Sequence, residues 1–181
     1  LGMGYDLDTG FCSVDIGTGA MTPVLAEAQS YGDSYSTGLT FDAPDSRAPG
    51  VFAAQSATRA PELFATKNFS GTRQLTQLNS SFGNYVMGES RLVTWQGTDG
   101  KDYKGTLLLP AGYRQGQRYP MVVWQRPSNV GSMALDTFGL MQFENYQILA
   151  TRGYAVFYPD FPVSSSREVQ RGAQEVVFAG I

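Results

Sequence analysis

The chain has 181 residues, 42% of them hydrophobic, 13% aromatic and 16% charged, with a formal net charge of −3. That composition suits one medium domain or two smaller packed parts and argues against a disordered chain. With no basic cluster to follow a phosphate backbone, and no run of roughly eighteen apolar residues, it also argues against a nucleic-acid partner and a membrane-spanning helix. Histidine is absent and Cys12 is the one cysteine. The common Ser–His and Cys–His nucleophile pairs therefore cannot be assembled from these residues, nor can an internal disulfide. Cys12 reads as a buried strand thiol. The sequence opens at Leu1 without a signal-peptide pattern and closes on the apolar run "QEVVFAGI". It reads as an internal fragment, which leaves compartment and oligomeric state open.

In chain order, "FCSVDI" (11–16) alternates apolar and polar residues as a strand does. Gly17, Thr18 and Gly19 turn the chain, and "AMTPVL" (20–25) returns, with Pro23 favouring an edge position or a bulge. Four more strand-like runs follow at 37–43, 50–57, 61–67 and 72–78, separated by turn-forming residues, and these predict an antiparallel meander. "VDIGTGAMTPVL" and "TKNFSGTRQLTQL" repeat one strand–turn–strand pattern. Their turn glycines, Gly19 and Gly71, lie roughly fifty residues apart, near the ~40–50 residues of one four-stranded propeller blade. A piece of β-sandwich accounts for the same pair of hairpins equally well. Such strands in an incomplete assembly are expected to leave apolar faces exposed.

Residues 79–89 are polar, glycine-containing and without period, so they read as a linker. Beyond them, 91–96 and 101–110 form a predicted hairpin around a turn at 97–100, followed by an exposed loop. "YPMVVWQ" (119–125) is a short apolar run suited to a strand buried on both faces. Phe143, Tyr146, Leu149 and Ala150 share one face of a predicted helix, with Leu140 a turn earlier and Gly153 as its C-terminal cap. "YAVFYPD" (154–160) is a second buried strand, so strand, helix and strand predict a right-handed crossover and a parallel pair. Ser164 to Ser166 cap a further helix that begins near Arg167.

The remaining constellations are weak. Asp6, Asp8 and Asp15 lack the spacing of a calcium loop and read as turn acids. Tyr154, Phe157 and Tyr158 read as core. Asp160 follows a strand at the end where α/β enzymes place functional groups, although a turn before Phe161 and Pro162 explains it as well. Ser132 lacks the flanking glycines of a nucleophile elbow, and no Gly-x-Ser-x-Gly occurs. No residue is assigned as catalytic and none as a metal ligand.

The ordered set of pieces resembles the prolyl oligopeptidase family of serine peptidases from about Gly10 onward, in its branch of acylaminoacyl peptidases and glutamyl endopeptidases. The pieces are the Leu-Thr-x-Leu-Asn stretch at Leu75 to Asn79, the Asp99-Gly100 turn and the strand ending Leu109-Pro110. Tyr119-Pro120 ahead of an apolar strand, Arg152-Gly153-Tyr154 and the "PDFPV" ending complete the set. The resemblance implies a β-propeller end, an antiparallel blade, followed by the N-terminal part of an α/β-hydrolase domain whose parallel sheet is begun and not completed. It places the propeller at 1–80, a linker at 81–90 and the hydrolase portion at 91–181.

By the same resemblance, the activity is hydrolysis of short peptides by acyl transfer through a serine, without metal or organic cofactor, and the triad lies outside these residues. In the family the loop after the "YPMVVW"-type strand helps to form the oxyanion hole, where one lost donor costs ~3–4 kcal/mol of transition-state stabilisation. Here that loop reads Trp124-Gln125-Arg126-Pro127, without the His-Gly-Gly or the tyrosine of the family pattern. These four are the candidate oxyanion-loop or substrate-binding residues. Arg126, at the tyrosine position, can donate to an oxyanion or grip a substrate carboxylate, and equally can face solvent or pair with a propeller carboxylate. The chain by itself is expected to be inactive. An esterase on the same scaffold and a non-catalytic propeller-containing binding protein are the alternatives.

Overall fold

A computed structural model describes residues 2–4, 9–27, 29–31, 41–42, 50–67, 69, 71–124, 138, 145–160 and 177–181. Its first half holds two antiparallel sheets. In one, β1 (Gly2–Gly4), β2 (Thr9–Val14) and β3 (Met21–Glu27) lie in that order. Cys12 pairs with Pro23 at a register shift, so the proline sits on an edge strand beside a bulge, and the thiol is buried as expected. The second sheet contains β4 (Ser30–Tyr31), β5 (Phe41–Asp42), β6 (Gly50–Ser56), β7 (Arg59–Thr66) and β8 (Thr72–Gln74). Pairing of β5, β6, β7 and β8 in succession is the predicted meander, and β4 joins β6 as well. The two sheets meet through Phe11, Tyr31, Phe52, Ala54 and Phe64. The rings of Phe11, Tyr31 and Phe52 stand edge-on or tilted to one another at about 5 Å between centroids, and Phe64 stacks on Phe52 at 6.0 Å.

One detail of this half departs from the sequence reading. Strand β8 stops at Gln74 rather than continuing to Leu78. The Thr76 hydroxyl turns to accept the Leu63 N–H and to donate to the Glu62 carboxylate, while the Asn79 N–H reaches the same carboxylate at 3.0 Å. In the turn between β7 and β8, Phe69 adopts a left-handed φ of 55°. Its ring packs on Phe11, which supplies the contact that holds a non-glycine residue there. Outward-facing Val14, Met21, Val24 and Leu63 are exposed apolar strand residues, as an incomplete assembly would leave them.

A 3-10 turn, Ser80–Asn84, lies inside the predicted linker. Then β9 (Ser90–Gln96), β10 (Asp102–Leu108), β11 (Met121–Val123) and β12 (Ala155–Asp160) form a mixed sheet in the order β11-β12-β10-β9. The β9–β10 turn is closed by Asp99, whose carboxylate accepts from Lys101 N–H and the Tyr103 hydroxyl. Strands β11 and β12 are parallel, with Met121 beside Ala155 and Val123 beside Phe157. This is the predicted crossover pair. Strand β11 lies at the sheet edge with Met121 38% exposed, so the expectation of burial on both faces does not hold among the described residues.

Of the predicted helix, α1 (Tyr146–Ala150) is described, and Leu140 and Phe143 lie outside the described residues. Asn145 caps it through Oδ1 to the Gln147 N–H at 3.1 Å. At the other end Gly153 adopts φ +87° and the Tyr154 N–H returns to the Leu149 carbonyl, closing the helix as a Schellman motif straight into β12. Alternation along β12 splits the core between two faces. Val156 and Tyr158 meet Leu108, Tyr146 and Ala150 on one side, whereas Phe157 meets Trp95 on the other. Val177, beside Trp95, Tyr103 and Val123, covers that second side. Tyr154 precedes the strand and is 39% exposed, so it is not the core residue its composition suggested. The helix expected near Arg167, with Ser164 to Ser166, lies outside the described residues. Among the described residues no helix is long and apolar enough to cross a membrane.

Candidate functional site

Parallel strands end on the same side of a sheet, so the in-register pairing of β11 and β12 brings Trp124 and Asp160 to one end of it. The Trp124 N–H extends the ladder, donating to the Phe157 carbonyl at 2.8 Å, and the Ala155 N–H donates to the Pro120 carbonyl at 2.9 Å. The Trp124 indole is half-buried and stands edge-on to the Tyr146 ring, 5.7 Å between centroids at 67°. Of the four candidate loop residues, Trp124 is therefore placed by both a strand and a helix. Gln125, Arg126 and Pro127 lie outside the described residues, as do Ser132, Asp6 and Asp8.

Helix α1 supports Trp124 and is itself held from the first half of the chain. Gln147, 6% exposed, donates from Nε2 to the Ala57 carbonyl (2.7 Å) and the Gly88 carbonyl (2.8 Å), and its Oε1 accepts the Gly88 N–H (2.8 Å). Ala57, 3% exposed at the β6–β7 turn, packs in the same core as Tyr146 and Ala150. The sequence offers no advance sign of this, because a glutamine inside an apolar helical stripe has the same spacing whether it faces water or a buried carbonyl.

The electrostatics of the described residues are local. Asp15 is spent inside its own turn, where hydrogen bonds from Thr18 and the Gly17 N–H hold its carboxyl below the usual carboxylate value. Hydrogen bonds, chiefly from the Thr76 hydroxyl, also hold Glu62 low, in a cleft of about 240 Å³ beside Arg59, Asn79 and Phe82. Burial pushes the Tyr31 phenol up. Among the described residues no group of three or more His, Cys, Asp or Glu side chains lies close enough to hold a metal.

No family model and no curated protein matches the sequence. Solved structures do match the fold. The ligand-free AtxE2 isopeptidase superposes with a TM-score of 0.59 at 18% identity, over 87% of this chain and 22% of its own. An acylaminoacyl peptidase from Pyrococcus horikoshii gives 0.50 at 24% identity, over 67% and 18%. Dipeptidyl peptidase 4 from Porphyromonas gingivalis gives 0.51 at 18%, over 84% and 21%. The chain thus spans about a fifth of the length of each. These neighbours are peptidases of the prolyl oligopeptidase family, built from a propeller and an α/β-hydrolase domain. The chain has the fold of a part of those enzymes, in agreement with the resemblance carried by its sequence.

Proposed function

We propose that this chain is the junction of a serine-type peptidase. Residues 1–80 end a β-propeller, 81–90 connect, and 91–181 open an α/β-hydrolase domain. The observation that carries this reading is the parallel, in-register pairing of β11 and β12 with Trp124 at their carboxyl end. That is where such a sheet presents catalytic loops. The fold likeness to peptidases supports it, and another structure of the AtxE2 isopeptidase holds a bound peptide.

In this reading the segment Trp124, Gln125, Arg126 and Pro127 lines the oxyanion hole or the substrate channel. A serine elsewhere in the protein attacks the scissile carbonyl, and an N–H or guanidinium donor at this rim meets the charge that develops on oxygen. Substrates are short peptides admitted past the propeller. The 181 residues contain no histidine, so they cannot supply the base of a Ser–His pair.

The test compares chromogenic peptides and simple esters on the intact protein, with and without a serine-reactive phosphonate, and repeats the assay on the 181-residue chain. Phosphonate-sensitive peptide cleavage by the intact protein alone is the expected result. Cleavage of esters without peptides moves the assignment to an esterase. Cleavage of neither, with no phosphonate labelling, removes the enzyme and leaves a binding protein.

A further inference from the structure

Two buried glutamines cross the junction in opposite directions. Gln147 reaches from α1 to Ala57 at the β6–β7 hairpin end and to both backbone groups of Gly88. Gln55, 1% exposed and two residues before Ala57, reaches the other way, its Oε1 accepting the Phe138 N–H at 3.1 Å. Phe138 lies in sequence between β11 and α1, and its buried ring stands edge-on to Phe82 of the connector, 4.8 Å between centroids. One hairpin end therefore holds the chain at two points, within the β11–α1 connection at Phe138 and in α1 at Gln147.

The bonding of Gln147 uses both of its amide hydrogens and its carbonyl at once. In a site closed to water a displaced amide finds no substitute partner, so a small shift of α1 forfeits three bonds together. Gly88 adds a steric stop. A Cβ there would lie 2.8 Å from the Ala150 Cβ and 2.2 Å from the Leu109 carbonyl oxygen, so the connector backbone is pressed against the helix. Trp124 leans on Tyr146, the residue beside Gln147, and inherits the position of the helix.

We propose that Gln55 and Gln147 form a reciprocal latch, through which the β6–β7 hairpin end sets the position of α1 and of Trp124 at the carboxyl end of β11. Both are positioning residues. The catalytic consequence rests on the peptidase reading, and the latch itself does not.

The test is residue-resolved amide exchange on the full chain carrying Gln147→Met or Gln55→Met, each of similar size and without the amide. In Gln147→Met the Phe138 N–H, whose own acceptor Gln55 is intact, exchanges at least about tenfold faster. In Gln55→Met the Gly88 N–H, whose acceptor Gln147 is intact, does the same, while the β9–β10 ladder stays within about twofold. Acceleration confined to the amide that lost its own partner overturns the latch. So does acceleration spread equally into β9–β10, which reduces both glutamines to ordinary core residues. On the intact peptidase both variants lower kcat about tenfold with KM within about threefold, and an effect on KM alone overturns the positioning role. The exchange result decides the latch even if the intact protein cleaves no peptide, so the two readings fail separately.

Discussion

At Gly88 the connector leaves no room for a side chain, and the consequence is measurable. Gly88→Ala must relieve overlap with both the Leu109 carbonyl and the Ala150 methyl, at a cost of about 1–3 kcal/mol in unfolding free energy, read from urea titration. The same substitution at the exposed Gly83, where a Cβ meets nothing, serves as the reference and is close to neutral. Glu62 makes a different prediction. Its carboxyl is held low mainly by the Thr76 hydroxyl and further by the Asn79 and Leu78 N–H groups. A carboxylate with a lowered folded pKa contributes stability that is fully present above its unfolded value of about 4.3, and that stability is lost as pH falls through the folded value. Glu62→Gln should therefore flatten the acid limb of the stability–pH curve below about pH 5. An unchanged limb would show that Glu62 makes no such contribution. Thr76→Val, which leaves Glu62 without its main donor and the Leu63 N–H without an acceptor, should cost about 1–3 kcal/mol.

Among the elements, α1 has the least stability of its own. Five residues are too few for a helix to persist in water, so its cap at Asn145, its closure at Gly153 and its buried face must hold it. Tyr146→Ala removes a buried aromatic ring at about 3–5 kcal/mol and strips Trp124 of its partner, so tryptophan emission of the folded state should shift to the red. An unshifted emission would mean that Trp124 is held by β11 alone. The elements also show how far the sequence could be read. β2, β6, β7 and β12 carry apolar residues at strand spacing between turn residues, and their places follow from that pattern. The end of β8 does not, because Thr76 and Asn79 leave the strand for a carboxylate on β7 that no local pattern reveals. Nor does the exposed edge of β11, since "MVV" reads the same at the centre of a sheet as at its margin. Of the candidate site, Trp124 was legible at the end of its strand. Gln147 was not, since its hydrogen-bonded carbonyl on Ala57 lies 90 residues away.

At the scale of the molecule, antiparallel sheets in the first half meet a mixed sheet in the second, joined by a connector that both halves grip. The peptidase reading depends on the direction of one strand pair within that mixed sheet. If β11 and β12 run parallel, their carboxyl ends open on one side and Trp124 stands at a rim where catalytic loops belong. If they ran antiparallel, Trp124 would fall at the opposite end from Asp160 and the site would dissolve. Pairs of introduced cysteines, with Cys12→Ser to remove the native thiol, separate these cases directly. Parallel register places Met121 beside Ala155, so Met121→Cys with Ala155→Cys should form a disulfide under mild oxidation, and Met121→Cys with Phe157→Cys should not. The reverse result, a bond from 121 to 157 and none to 155, would contradict the fold on which the function rests.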